Sequence, residues 1–218
     1  MRARRRTKQS AKTAILEYPK RIFVDNSTYK MNYRPELKTN LKPILEKYEK
    51  FYVEIGSGNG KFLNELAKRN PDTLCIGIEL KEERILEAIQ EAEEKNIENT
   101  LLIRISAIHL DEVFDEQFFD TIFINFPDPW PKSKHEKHRL PASPFLDTYH
   151  NILKKDGQII LKTDNPIMYS YSLETLPEKF EITETSENLK DDDENIKTKY
   201  EIRYRHEGKP IFQIIAKK

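Results

Sequence analysis

Two short runs hold the residues whose types and spacing can do chemistry. The first is Asn125-Phe126-Pro127-Asp128-Pro129-Trp130-Pro131-Lys132. It follows an apolar stretch, residues 118–124, that reads as a buried strand. Prolines at alternate positions fix φ and remove backbone donors, so the run can be neither helix nor central strand. It is expected to be a stiff, extended loop at a strand end, carrying an amide, a carboxylate and the only Trp of the chain. The turn behind it is basic, with Lys132, Lys134, His135, Lys137, His138 and Arg139. A planar apolar face, a hydrogen-bonding edge and cations on one rigid loop suit a nucleobase with its phosphates.

The second run is Glu54-Ile55-Gly56-Ser57-Gly58-Asn59-Gly60, between an expected strand at residues 51–55 and an expected helix at residues 61–69. Glycines let the backbone approach a ligand, and a helix N-terminus offers free N–H groups to an anion. A tight strand–helix turn also needs glycine, so the loop alone says little. Two details sharpen it. The spacing is GxGxG, not the GxGxxG of dinucleotide binders, and Glu54 stands two residues before Gly56. A carboxylate there repels a pyrophosphate but attracts an ammonium or a sulfonium. S-adenosylmethionine carries both cations, and its carboxylate suits the helix N-terminus. Glu79 closes the next strand at about the distance at which an acid grips a ribose in such folds. Either acid taken singly also reads as a surface carboxylate at a strand end.

These loops need a scaffold that delivers them to one edge. Apolar runs at residues 74–78, 101–105, 118–125 and 158–163 read as further strands, and residues 180–185 and 211–216 as closing strands. Helices are expected at residues 81–95, 144–153 and 167–176, the second of them closed by Lys155-Asp156-Gly157. Strands alternating with helices imply an α/β fold with a mainly parallel sheet covered on both faces. Ligands then bind outside the carboxyl ends of the strands, where the glycine loop, Glu79, the proline loop and Thr163-Asp164-Asn165 all fall. Residues 46–218 read as a single domain, and residues 1–45 as a basic arm and candidate lid.

Bulk properties narrow the class. A chain of 218 residues favours one domain. Charged residues are 34% and hydrophobic ones 37%, and no apolar run approaches the roughly 20 residues that span a membrane. No apolar signal segment stands at the N-terminus. The single cysteine, Cys75, sits in an apolar strand and excludes an internal disulfide or a cysteine zinc site. A cytoplasmic protein is the expectation. Net charge is +0, which argues against a uniformly basic binder. Residues 1–12 nevertheless carry Arg2, Arg4, Arg5, Arg6, Lys8 and Lys12 without an acid, as a phosphate-binding arm or a solubilising tail would. His135 and His138 flank Glu136 at a spacing that could suit a metal, but their lysine-rich surroundings disfavour a divalent cation, and no metal is expected.

Taken together, these motifs resemble the bacterial tRNA (guanine-N7)-methyltransferase family. The resemblance rests on residues 54–60, Gly77-Ile78-Glu79, the proline–tryptophan run, His135-Glu136-Lys137 with Arg139-Leu140, Lys162-Thr163-Asp164-Asn165 and Thr198-Lys199-Tyr200-Glu201, in the family's order. It implies a Rossmann-like class I methyltransferase with a mainly parallel seven-stranded sheet and helices on both faces. The implied reaction moves a methyl group from S-adenosylmethionine, leaving S-adenosylhomocysteine, to N7 of a guanosine in the tRNA variable loop. By position, Glu54, Gly56, Gly58, Glu79, Ser106 and Asp128 would hold the cofactor, and Asp128 would sit at the reaction centre. Lys132, Asp164, Thr198, Lys199, Tyr200 and Glu201 would meet the substrate. Lys134, His135, Glu136, Lys137, His138 and Arg139 would bind RNA.

Ser106 departs from the family, which usually has an acid there, and offers a hydroxyl without charge. Other readings stay open at this level: Asp128 as a turn cap beside prolines, Trp130 as core, Asp164 or Asn165 as a helix cap, and Thr198 to Glu201 as a capping box. A methyltransferase for another substrate and a non-catalytic RNA-binding module are the alternative functions, and the protein is expected as a monomer or homodimer with tRNA as its partner. If the arm contacts phosphates, removing residues 1–12 should weaken tRNA binding most at low salt and flatten the salt dependence. Titrations of full-length and truncated protein at several salt concentrations read this directly, and unchanged affinity with unchanged slope would reduce the arm to a tail.

Overall fold

The computed structural model describes residue 11, residues 13–24 and residues 34–218. The basic arm at residues 1–10 and Lys12 lies outside them. Strands β1 (Ile22–Val24), β2 (Lys50–Ile55), β3 (Thr73–Ile78), β4 (Thr100–Arg104), β5 (Phe119–Asn125), β6 (Leu153–Thr163), β7 (Glu181–Ser186) and β8 (Phe212–Lys217) form one sheet. Its order is β1-β4-β3-β2-β5-β6-β8-β7. All pairings from β1 to β6 are parallel, and β8 runs antiparallel to both β6 and β7.

The strands form because alternate apolar side chains serve opposite faces. In β3, Leu74, Ile76 and Ile78 enter one cluster and Cys75 the other. In β5, Ile122 and Ile124 face one way and Phe123 the other. Helices α2 (Lys61–Arg69) and α3 (Glu82–Glu94) cover the second face with Phe62, Leu63, Ile85 and Ile89. Helices α1 (Arg34–Leu45), α4 (Ser143–Ile152) and α5 (Pro166–Thr175) cover the first with Leu37, Leu41, Leu146, Tyr149 and Tyr169. A sixth helix, α6 (Lys199–His206), precedes β8. Cys75 is buried as expected, and loss of solvent pushes its thiol up to about 12, so it stays protonated.

The sheet has eight strands, one more than the resemblance implies. The addition is β1, within the stretch expected as arm and lid, which pairs with β4 through Ile22, Phe23 and Val24. Arg21 fixes it there, donating to Ile97 O at 2.6 Å and pairing with Glu93. A second difference concerns Lys155-Asp156-Gly157. These residues do not terminate α4 but lie within β6, because Leu153 already pairs with Phe119 and the register then jumps to Gln158 opposite Thr121.

Chain order reverses between β2 and β5, the crevice where open α/β sheets place ligands. Gly60 shapes that crevice. It precedes α2 with φ at +77°, and a Cβ there would lie 2.4 Å from Ala88 Cβ in α3. Gly208 has φ at +71° with open space around it. Left-handed backbone costs a non-glycine residue about 1–2 kcal/mol and overpacking about 1–3 more. Gly60→Ala is therefore expected to lose about 2–5 kcal/mol and Gly208→Ala only about 1–2, as read from urea unfolding midpoints. Equal losses at the two positions would refute the steric account.

Candidate active site

A cavity of about 610 Å³ opens at the carboxyl ends of β2, β3 and β5, a size typical of small-molecule sites. Glu54, Gly56, Gly58, Glu79, Ser106, Asp128, His138, Asp164, Thr198, Lys199 and Tyr200 all line it. One pocket thus collects residues spread over most of the chain.

Glu54 lies at its base, 2% exposed, on the strand face that also carries Tyr52. Asn125, at the end of β5, donates Nδ2 to Glu54 Oε1 at 2.9 Å. Burial pushes the Glu54 carboxyl up to about 8, against the pull of Asn125 and of the Lys162 ammonium. Glu54 Oε2, Ser57 Oγ and Asn125 Oδ1 are buried without a hydrogen-bond partner. Three orphaned oxygens around one cavity floor call for a ligand with donors or positive charge, and an amino acid's ammonium supplies three donors. The N-terminus of α2, whose first residues Lys61 and Phe62 line the cavity, has no side-chain cap.

Glu79 uses its carboxylate on the backbone. It accepts from Gly58 N at 3.1 Å, Leu80 N at 2.7 Å and Lys81 N at 2.9 Å. It ties the glycine loop to the start of α3 while lining the pocket. Ser106 sits at the end of β4, ahead of the turn Ala107–Glu112.

Asp128 is exposed, and among the described residues nothing caps or pairs with its carboxylate. The turn-cap role open to it in the sequence is therefore not taken. At the next strand end, Asn165 caps α5 by accepting from Met168 N at 3.0 Å. That leaves Asp164 facing the cavity, with Lys209 Nζ at 3.3 Å. Trp130 is 38% exposed at the cavity wall rather than in the core.

Glu201 and Arg139 depart from the expected roles. Glu201 is fully buried and does not reach the cavity. Thr198 Oγ1 accepts from Glu201 N at 3.0 Å, as a helix cap does, but the Glu201 carboxylate turns inward. It takes Asn195 Nδ2 at 2.6 Å, Arg205 at 2.8 Å and Lys162 Nζ at 3.4 Å. Arg139, expected to offer its charge to RNA, is 3% exposed and bound to the carbonyls of Pro129 and Trp130. Lys132, Lys134, His135, Glu136 and Lys137 lie outside the cavity on the adjoining surface. Among the described residues no group of three or more His, Cys, Asp or Glu is placed to hold a metal ion, and no helix is long and apolar enough to cross a membrane.

Sequence reasoning missed Lys61, Lys81, Arg84 and Tyr204 in the cavity wall. Their only signal was position, next to the glycine loop, after Glu79, or one helical turn beyond Tyr200. It quoted Asn125 and Lys162 without giving either a role. Burial also lowers the Lys162 pKa, partly offset by Glu201.

A family described as putative methyltransferases matches residues 48–214. The tRNA (guanine-N(7)-)-methyltransferase of Brevibacillus brevis is 38% identical over 211 residues, covering 94% of each chain. That of Clostridioides difficile is 36% identical over 219 residues and covers 99% of each. The chain belongs to the tRNA (guanine-N7)-methyltransferase family. Among solved structures, the 16S rRNA methyltransferase KamB superposes with a TM-score of 0.64 at 13% identity, covering 82% of this chain and 92% of that one. An antibiotic-related methyltransferase superposes with 0.63 at 21% identity, with the same coverage. These two confirm the Rossmann-like methyltransferase fold.

The buried acid of this methyltransferase has a measurable signature. Burial holds the Glu54 proton to about pH 8 in the folded chain, whereas a free carboxyl loses it near 4.5. Ionisation of the unfolded chain therefore subtracts stability progressively across that window, and the loss is complete above it. Glu54→Gln cannot ionise. Without cofactor its thermal midpoint is expected to gain about 4 °C or more on the parent between about pH 5 and about pH 8. A gap independent of pH would mean that Glu54 is already charged in the fold.

Proposed function

We propose that the chain transfers a methyl group from S-adenosylmethionine to N7 of a guanosine in the variable loop of tRNA, working in the cytoplasm. One observation carries the cofactor half: the orphaned oxygens of Glu54, Ser57 and Asn125 beneath the uncapped start of α2. That floor is complementary to an ammonium and a carboxylate on one molecule. Full-length similarity to tRNA (guanine-N(7)-)-methyltransferases carries the substrate half.

Bound there, the cofactor supplies a methyl carbon on a sulfonium. Guanine N7 has a free lone pair and carries no proton, so the protein need not remove one. Its task is alignment first and electrostatics second. Glu54 and Asn125 hold the amino-acid end at the cavity floor. Glu79, already fixed against the glycine loop, meets the ribose, and Ser106 offers a hydroxyl towards the adenine. Asp128, exposed and unpaired, is free to accept from the guanine N1–H or exocyclic amine. That contact orients the base and stabilises positive charge as N7 is alkylated. Asp164 and Thr198 to Tyr200 close the substrate side, while Lys132, Lys134 and Lys137 offer point charges to phosphates.

Unmodified tRNA transcript and labelled cofactor, followed by nucleoside digestion, should place the label in 7-methylguanosine from the variable loop. Label in another nucleoside would retain the methyltransferase and reject this substrate atom. Asp128→Asn should lower kcat about 10²–10³-fold with tRNA affinity within about threefold, and full turnover would refute the role given to Asp128.

A further inference from the structure

Prolines fix φ at positions 127, 129 and 131 of the catalytic loop. Phe126, Asp128 and Trp130 each precede a proline, which narrows their torsions towards extended values. Phe126 and Trp130 violate that preference, with φ at +51° and +41°. Left-handed backbone at a bulky residue persists only where its surroundings over-determine it. The Phe126 N–H is held by Lys162 O at 2.7 Å on the neighbouring strand; the constraint at Trp130 is Arg139.

Arg139 Nε donates to Pro129 O at 3.0 Å, and a terminal nitrogen donates to Trp130 O at 3.1 Å. Those carbonyls belong to the two peptide planes that flank the Trp130 Cα. A planar guanidinium holding both planes fixes φ and ψ of Trp130 together. Its other terminal nitrogen lies 3.4 Å from Glu136 Oε1. Its flat face lies 4.5 Å from the Tyr171 ring centroid in α5. With 4% side-chain exposure, Arg139 has no free edge for phosphate. Swinging it outward would leave two carbonyls unsatisfied and release a strained tryptophan. The Trp130 ring meets His138 at 5.3 Å and His135 at 5.6 Å, so the same torsions set Trp130 and His138 in the cavity wall with His135 packed behind them.

We infer that Arg139 is a positioning residue for methyl transfer: its guanidinium clamps the backbone of the proline loop so that Asp128 and Trp130 face the cavity, and it makes no contact with RNA. The inference rests on the methyl-transfer reading above for its consequence in rate, but the clamp itself has its own reporter. Trp130 is the only tryptophan in the chain, so its emission reports the loop directly.

The test compares Arg139→Lys, which keeps the charge but loses the fork, with Arg139→Gln, which loses both. A third variant, Tyr171→Leu, removes the stacking face from outside the basic segment. Each is read by Trp130 emission and acrylamide quenching in the free protein, by kcat and KM on tRNA transcript, and by tRNA affinity across a salt series. The clamp predicts that all three variants shift Trp130 emission and steepen its quenching. Both Arg139 variants should lose about 10²-fold in kcat with KM little changed, as misplacement near the reacting groups does. The salt slope should stay at the parental value.

An RNA contact predicts the reverse. Arg139→Lys would stay near the parent throughout, and Arg139→Gln would flatten the slope by about 0.7–0.9 with Trp130 unmoved. That pattern overturns the inference, as does a shifted Trp130 with parental kcat. If the parent protein itself methylates no tRNA, the proposed function falls, and the emission of the Lys and Leu variants still decides the clamp.

Discussion

Charge buried at the carboxyl edge of the sheet is what the rest of this molecule is arranged around. Lys162, Glu201 and Arg205 form a line of alternating sign through low-dielectric interior, with the protonated Glu54 carboxyl beside its lysine end. Lys162 and Glu201 are in contact, as are Glu201 and Arg205. Lys162 acts on Glu54 through space. Buried charges are tolerated only when paired and hydrogen-bonded, so three chain segments are obliged to meet. β2 brings the first acid and β6 the lysine. The stretch before α6 adds Asn195, whose side chain bonds both Lys162 and Glu201. Helix α6, whose first residues line the cavity, is therefore anchored by electrostatics rather than by an apolar face.

This arrangement divides the site into two solvents. One side is deep, with the unsatisfied oxygens of Glu54, Ser57 and Asn125 beneath the uncapped start of α2. The other is shallow, with exposed lysines and an aromatic wall of Trp130, Tyr200 and Tyr204. Burial gives the first side strength per contact. Exposure gives the second adaptability and salt sensitivity. A reaction whose nucleophile has no proton to lose can dispense with a general base at the centre, and Asp128 sits at the border between the two regimes.

Much of this was legible in the residues. Strand positions followed from apolar runs, and helix α2 at Lys61–Arg69 from the glycines before it and the Asn-Pro turn after it. The pocket's acids were visible because Glu54 and Glu79 bracket a glycine loop. What stayed hidden depended on distant partners. Strand β1 has only three residues, and Arg21 secures it through groups more than seventy positions away. Nothing local distinguishes Arg139 from its lysine neighbours; the difference is a pair of carbonyls ten and nine residues back, brought near by the turn Ser133–His138. Glu201 showed its capping pattern in sequence but not the buried lysine that claims its carboxylate.

The two rims of the sheet bear on how the protein behaves in a crowded cell. An unpaired strand is a template on which another chain can crystallise its backbone, the first step towards fibrous precipitates. At one rim stands β1, too short to offer more than a few rungs. At the other stands β7, whose six residues include the exposed carboxylates Glu181 and Glu184, so a second copy arriving edge-on would set like charges against each other. Brevity guards one border and repulsion the other, so both edges of a strongly apolar sheet are poor templates for a further strand.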